Sequence, residues 1–261
     1  MTTPLAGLTV VVTRPDRQAG PFMRLLQESG ATPVAFPTLA IDPVALDEAT
    51  RERWAPDAYD WLILTSANAV ANAFAQLPHP RRARVAAIGR ATARSLQELG
   101  IEVHATPASV SDSESLLAMP ELANVRGQRI LVLKGTGGRD QLRKVLTARG
   151  AEVTLAEVYR RRVATPGRAA LEDLQRACAA AQPVVAVTSV EVLDALLDLA
   201  PQAAHPHLRD CVLLLPGVRV AAAARERGWR GHVVVAPSAE DATMVDALAR
   251  AHADGGMTRP A

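Results

Sequence analysis

The chain has 261 residues, enough for one large or two medium domains. Its apolar share of 49% and formal charge of +2 describe an ordinary globular protein and argue against a surface built to coat a polyanion. Aromatic residues make up 3%, too few for the stacking platforms that grip single-stranded nucleic acid.

The first element is an apolar run, Leu8 to Thr13, read as a strand. The loop Arg14-Pro15 follows, then a helix with Phe22, Leu25 and Leu26 on one face, closed by Gly30. Ala31 to Phe36 is the next strand. Asp60 to Ser66 is a third apolar strand ending in Thr65-Ser66, and Arg84 to Gly89 a fourth, followed by Arg90-Ala91-Thr92. Gly100 ends the helix after it.

The opening pattern then returns. Gln128 to Leu133 is a strand, Lys134-Gly135-Thr136-Gly137-Gly138-Arg139 a loop, and Leu142, Val145 and Leu146 the apolar face of a helix stopped by Gly150. Ala151 to Leu155 begins a further strand. Pro183 to Ser189 repeats the Asp60 to Ser66 segment, with Thr188-Ser189 at its end. Cys211 to Gly217 repeats Arg84 to Gly89, with Arg219 just beyond. Gly228 again ends a helix. Unit order is kept at an offset of roughly 120 residues, the mark of an internal duplication.

Strands that alternate with helices and are apolar throughout form parallel sheets covered on both faces. Ligands then sit at the carboxyl ends of the strands. The loops there carry cations (Arg14, Lys134, Arg139, Arg219), hydroxyls (Thr65, Ser66, Thr92, Thr188, Ser189) and glycines (Gly89, Gly135, Gly137, Gly138, Gly217). Such groups hold anions through charge-assisted bonds and free amides. The Lys134 loop lacks the Gly-Lys-Ser/Thr ending of a Walker loop and the glycine spacing of a dinucleotide fingerprint. No Gly-x-Ser-x-Gly elbow surrounds the serines. The six histidines are scattered, and Cys178 and Cys211 stand alone, so no metal site is expected. Met1 to Pro15 does not read as a secretory signal, and no apolar stretch is long enough to span a bilayer. A cytoplasmic location with no membrane and no nucleic-acid partner is the expectation, with residues 254–261 as a flexible tail.

These motifs together resemble the uroporphyrinogen-III synthase family. The resemblance rests on Thr13-Arg14-Pro15, on Asp60-Trp-Leu-Ile-Leu-Thr65-Ser66 with Asn68 and Val70, and on Ala87-Ile88-Gly89 with Thr92. It continues through Ser113-Glu114 with Leu117, Gly137-Gly138-Arg139, Arg149-Gly150-Ala151 and Val158-Tyr159-Arg160, and covers about residues 7 to 250. Lys134 stands where many relatives carry arginine. Gly217-Val-Arg219-Val-Ala221 departs from the family's Gly-x-Thr-Thr-Ala stretch, so the resemblance does not carry a hydroxyl contact over to that loop.

The resemblance implies an α/β fold of two similar doubly wound parallel-sheet lobes of flavodoxin or Rossmann type, joined by a two-stranded β hinge. The repeat alone would divide the chain into consecutive halves. The resemblance instead implies one lobe of residues 1–36 plus 166–253 and another of 37–165, with Pro37 to Ile41 and Tyr159 to Val163 as the extended connectors that cross between them, and a cleft for the ligand. It further implies closure of hydroxymethylbilane to uroporphyrinogen III, with inversion of the last pyrrole ring and loss of water, and no cofactor or metal. The substrate would be a linear tetrapyrrole with eight carboxylates. Tyr159 is the expected general acid, since a phenol is protonated at neutral pH. A monomer is expected, in transient contact with the enzyme that makes hydroxymethylbilane. A non-catalytic two-lobed anion-binding or regulatory protein of the same fold is the alternative. A nucleotide- or sugar-dependent enzyme is a third reading, disfavoured by the missing phosphate fingerprint and by the sparse aromatics Trp54, Trp61 and Trp229.

Overall fold

Strands that are apolar on both faces can be satisfied only by helices packed on each side of a sheet. The computed structural model describes residues 3–108, 112–138, 140–181, 183–200, 208–255 and Met257. Its strands are β1 (Thr9–Val12), β2 (Thr32–Ala35), β3 (Leu39–Pro43), β4 (Trp61–Leu64), β5 (Arg84–Ala87), β6 (Arg129–Gly135), β7 (Glu152–Val163), β8 (Pro183–Ala186), β9 (Val212–Pro216) and β10 (Val233–Ala236). The helices are α1 (Asp16–Glu28), α2 (Glu48–Arg53), α3 (Ala67–Phe74), α4 (Arg90–Glu98), α5 (Ser113–Leu117), α6 (Gln141–Ala148), α7 (Arg168–Cys178), α8 (Val190–Leu199), α9 (Gly217–Glu226) and α10 (Asp241–Ala253).

Two compact units result, Met1–Ala40 with Arg162–Ala261, and Ile41–Arg161. In the first, the sheet order is β10-β9-β8-β1-β2. Val11, Val185 and Leu213 face α7, α8 and α9, while Val10, Val184 and Leu214 face α1 and α10. In the second, the order is β3-β7-β6-β4-β5. Leu62, Leu131 and Leu133 pack under α3 and α4, and Ile63, Ile130 and Val132 under α5 and α6. Alternation along each strand divides the two cores. The registered pairings of β1, β2, β4, β5, β6, β7, β8, β9 and β10 are parallel.

The duplication is visible in space. The series β2-β1-β8-β9-β10 matches β7-β6-β4-β5 followed by an isolated parallel bridge from Ala86 to Ala105. The opening strand of each sequence repeat therefore lies in the sheet with β-strands from the other repeat. Repeat punctuation also has its physical cause: Gly30, Gly100, Gly150 and Gly228 all take positive φ after a helix.

Two element boundaries differ from the sequence reading. Lys134 and Gly135 belong to β6 rather than to the loop after it. The segments beginning at Ala151 and Tyr159 are one continuous strand, β7, of 12 residues, with β3 beside it at the sheet edge. Ala156 and Val158 between them are buried, and the strand continues through Tyr159.

Leu131 is fully buried beneath α3 and α4. Leu131→Ala is expected to cost about 2–5 kcal/mol in urea unfolding. A loss below about 1 kcal/mol would place this residue outside the core.

Candidate active site

The carboxyl ends of β4 and β6, together with β7, surround a cavity of about 350 Å³ that lies wholly within the unit Ile41–Arg161. Seven of the residues anticipated from sequence line it: Thr65 and Ser66 after β4; Lys134, Gly135, Gly137 and Gly138 along β6 and its loop; and Tyr159 on β7.

Local structure fixes each of them. Ser66 is the N-cap of α3, its Oγ accepting from the Ala69 N–H at 3.0 Å. That leaves the Ser66 hydroxyl proton available, and Ser66 Oγ lies 3.1 Å from Tyr159 Oη. Thr65 donates to the Leu133 carbonyl at 3.3 Å, which ties the end of β4 to β6. Gly137 and Gly138 have φ of 75° and 82°, a conformation that L side chains rarely adopt, so the loop turns with its backbone bare.

Tyr159 reaches this position through an irregularity. The register between β6 and β7 shifts at Lys134/Gly135, so that Gly135 pairs with Tyr159. Consecutive strand residues normally point to opposite faces, yet Val158 and Tyr159 are both buried in one apolar cluster. Gly135 makes the room: a methyl built there would lie 2.6 Å from Tyr159 Cζ and 3.0 Å from its Oη. The Thr136 N–H donating to the Tyr159 carbonyl at 2.8 Å locks the shifted register.

Lys134 is 9% exposed. Its Nζ is 3.8 Å from Asp140 Oδ1, and Asp140 Oδ2 accepts from Arg143 at 2.6 Å. The Gly137 N–H donates to Glu157 Oε1 at 3.1 Å. Asp140, Arg143, Asn68, Ser113 and Arg161 also line the cavity and were not among the residues anticipated for the site. Asn68 and Ser113 had stood in the sequence motifs, and Asp140 is adjacent to the glycine loop, so position was the available signal. Asp112 caps α5 beside Ser113, and the Ser115 backbone N–H holds its carboxyl below the usual carboxylate range.

The other anticipated residues are not brought to this cavity. Gly89 caps α4 with extended backbone, and Thr92 is buried on that helix; Ile88 is the lining residue there. Arg14 lies in the other unit, where it pairs with Asp241, donates to the Ala239 carbonyl at 2.9 Å and stacks 4.6 Å above the Phe22 ring. It is bound to the start of α10 rather than presented as a free anion holder, because β1 and α10 pack in one unit. Ser189 caps α8 through the Val192 N–H, with Thr188 before it. Gly217 opens α9 at φ 70°, and Arg219 on its first turn is exposed. Arg139 lies outside the described residues. Among the described residues, no group of three or more His, Cys, Asp or Glu could hold a metal ion.

Residues 21–246 match the family described as uroporphyrinogen-III synthase HemD. The chain is 37% identical over 248 residues to the uroporphyrinogen-III synthase of Escherichia coli, covering 92% of this chain and 100% of that one. It is 35% identical to the Salmonella typhimurium protein of the same name, again over 92% and 100%. In fold it is similar to uroporphyrinogen-III synthetase from Helicobacter pylori (TM-score 0.62, 15% identity, 92% and 97% covered). It is likewise similar to a mutant uroporphyrinogen III synthase from Thermus thermophilus (TM-score 0.57, 22% identity, 95% and 99% covered).

The Gly135–Tyr159 packing is testable by a double-mutant cycle. Gly135→Ala is expected to cost about 1–3 kcal/mol of stability, and most of that cost should vanish when Tyr159 is also cut to Ala. An equal cost in both backgrounds would mean that the ring is not what excludes a side chain at 135.

Proposed function

The chain belongs to the uroporphyrinogen-III synthase family, and from that premise we propose that the cavity formed by β4, β6 and β7 activates the reacting end of its substrate. It is an enzyme of porphyrin and haem biosynthesis that closes hydroxymethylbilane to uroporphyrinogen III, inverting the last ring and losing water. The observation that carries the assignment of the site is the pair of hydroxyls, Tyr159 Oη and Ser66 Oγ, 3.1 Å apart on the wall of a cavity that also holds a buried lysine.

The proposed sequence begins with Tyr159 donating its phenolic proton to the terminal hydroxyl, which leaves as water. Ser66 is placed to support the phenolate: its Oγ lies 3.1 Å from Tyr159 Oη, and the hydroxyl can donate there while its oxygen accepts from the Ala69 N–H. The azafulvene-like cation left behind is attacked by the substituted carbon of the last ring. The spiro-pyrrolenine fragments and recloses the other way round, and the proton lost on rearomatisation returns to the phenolate. Water is the only net product besides the macrocycle.

The bilane is reactive enough to close without help, to the uninverted isomer. The protein's task is therefore selection between two transition states, which demands positioning more than strong acid–base power. Lys134 and the Gly137–Gly138 backbone are suited to the substrate's carboxylates. In the repeat-equivalent loops of the other unit, Thr188, Ser189, Gly217 and Arg219 are proposed as further holders, along with Arg139. Among the described residues no helix is long and apolar enough to cross a membrane. We propose a monomer acting in the cytoplasm, in transient contact with the enzyme that releases hydroxymethylbilane.

The deciding assay supplies freshly generated hydroxymethylbilane, oxidises the products and resolves the type III from the type I isomer. Type III in excess is expected; type I alone, at the spontaneous rate, would reject the synthase reading in favour of a non-catalytic binder. Tyr159→Phe keeps the ring over Gly135 and is expected to stay folded while losing about 10²–10⁴-fold in kcat. A fully active Phe variant would remove Tyr159 from the role of acid.

A further inference from the structure

Three groups suited to gripping an anion in this cavity are already engaged by the chain's own carboxylates. Lys134 Nζ and the Arg143 guanidinium both face Asp140, at 3.8 Å and 2.6 Å, and the Gly137 N–H is taken by Glu157 at 3.1 Å. The position of Asp140 makes its orientation informative. It is the N-cap of α6, where an aspartate ordinarily accepts from the helix's free N–H groups, yet its side chain makes no such bond. Asp47 and Asp112, at the same position on α2 and α5, both do. The Asp140 carboxylate is directed to the cations instead. At 3.8 Å it is beyond hydrogen-bond distance from Lys134, a loose pairing for a cation that is nine-tenths buried.

We propose that Asp140 and Glu157 are surrogate carboxylates: they occupy the anion-binding groups of the β6–α6 loop in the empty site and yield them to carboxylates of the incoming ligand. This rests on the reading of the substrate as a polycarboxylate. A buried lysine with no counter-charge would be costly, so the surrogates keep the empty site stable. The same arrangement sets specificity. A ligand with one carboxylate displaces one internal partner and gains little. A ligand with several replaces them together, and the surplus appears as binding. Asp140 and Glu157 thus weaken binding in general and weaken that of sparsely charged competitors most.

The prediction has an unusual sign. Asp140→Asn keeps shape and can still accept from Arg143, but it removes the competing charge. KM for hydroxymethylbilane is expected to fall about two- to fivefold, the size of a partly screened ion pair. The Kd of mellitate, a benzene ring with six carboxylates, measured by titration calorimetry, should fall in parallel. Glu157→Gln is expected to act in the same direction. A merely structural role for Asp140 predicts the opposite, looser binding of both. Unchanged or weaker mellitate binding in both folded variants overturns the proposal, and if Asp140→Asn does not fold, Glu157→Gln decides alone. Mellitate binding needs no turnover. Tighter mellitate with no type III isomer from the unaltered protein would sink the synthase reading and keep the surrogates; type III isomer without tightening would do the reverse.

Discussion

The site depends on the packing of the Tyr159 ring over the bare Cα of Gly135. That contact requires the register shift between β6 and β7, and the shift in turn re-aims one residue of a strand that would otherwise alternate. With the ring seated there, its hydroxyl comes within hydrogen-bond distance of Ser66, whose own position is set by capping α3. A glycine, a register shift and a helix cap, each ordinary alone, together fix the position of one phenol.

The duplication preserves the order of strands more closely than the partners of the side chains at their ends. After the first strand of one repeat stands Arg14, and at the end of the matching strand of the other stands Lys134. Each faces an internal carboxylate, Asp241 and Asp140 respectively. The outcomes differ. Arg14 is held by an ion pair, a backbone carbonyl and an aromatic ring at once, and so serves the packing of α1 and α10. Lys134 has a distant partner and opens on a cavity. The same sequence sentence ends in a closely partnered cation in one unit and in a loosely partnered, cavity-lining one in the other. The number and quality of partners, rather than the residue type, separates the two.

Electrostatically the cavity is sparse. It holds neutral hydroxyls, backbone amides and a few cations with carboxylates of their own, and among the described residues no metal-ligating cluster. Positioning groups of this kind fit the proposed task of choosing between two outcomes of a ready reaction, where differences of a few kcal/mol decide the isomer.

Sequence alone determined the repeat, the alternation of strands and helices, the glycines that end the helices, and the loops in which anion-binding groups would lie. These are local properties, written in periodicity and backbone preference over a dozen residues at a time. It also singled out Thr65, Ser66, Lys134 and the glycine loop, because strand-end loops are where parallel sheets present their chemistry, while Tyr159 was singled out only by the resemblance of its motif to the family. Only the tertiary structure decided which strands are neighbours, since strands apolar on both faces carry no mark of the partner they will pair with. It alone decided that β7 runs unbroken through Tyr159, that the register slips at Gly135, and that Arg14 is spent on Asp241. Each of these turns on residues far apart in the chain, and a pairing between distant side chains leaves no trace in either segment by itself.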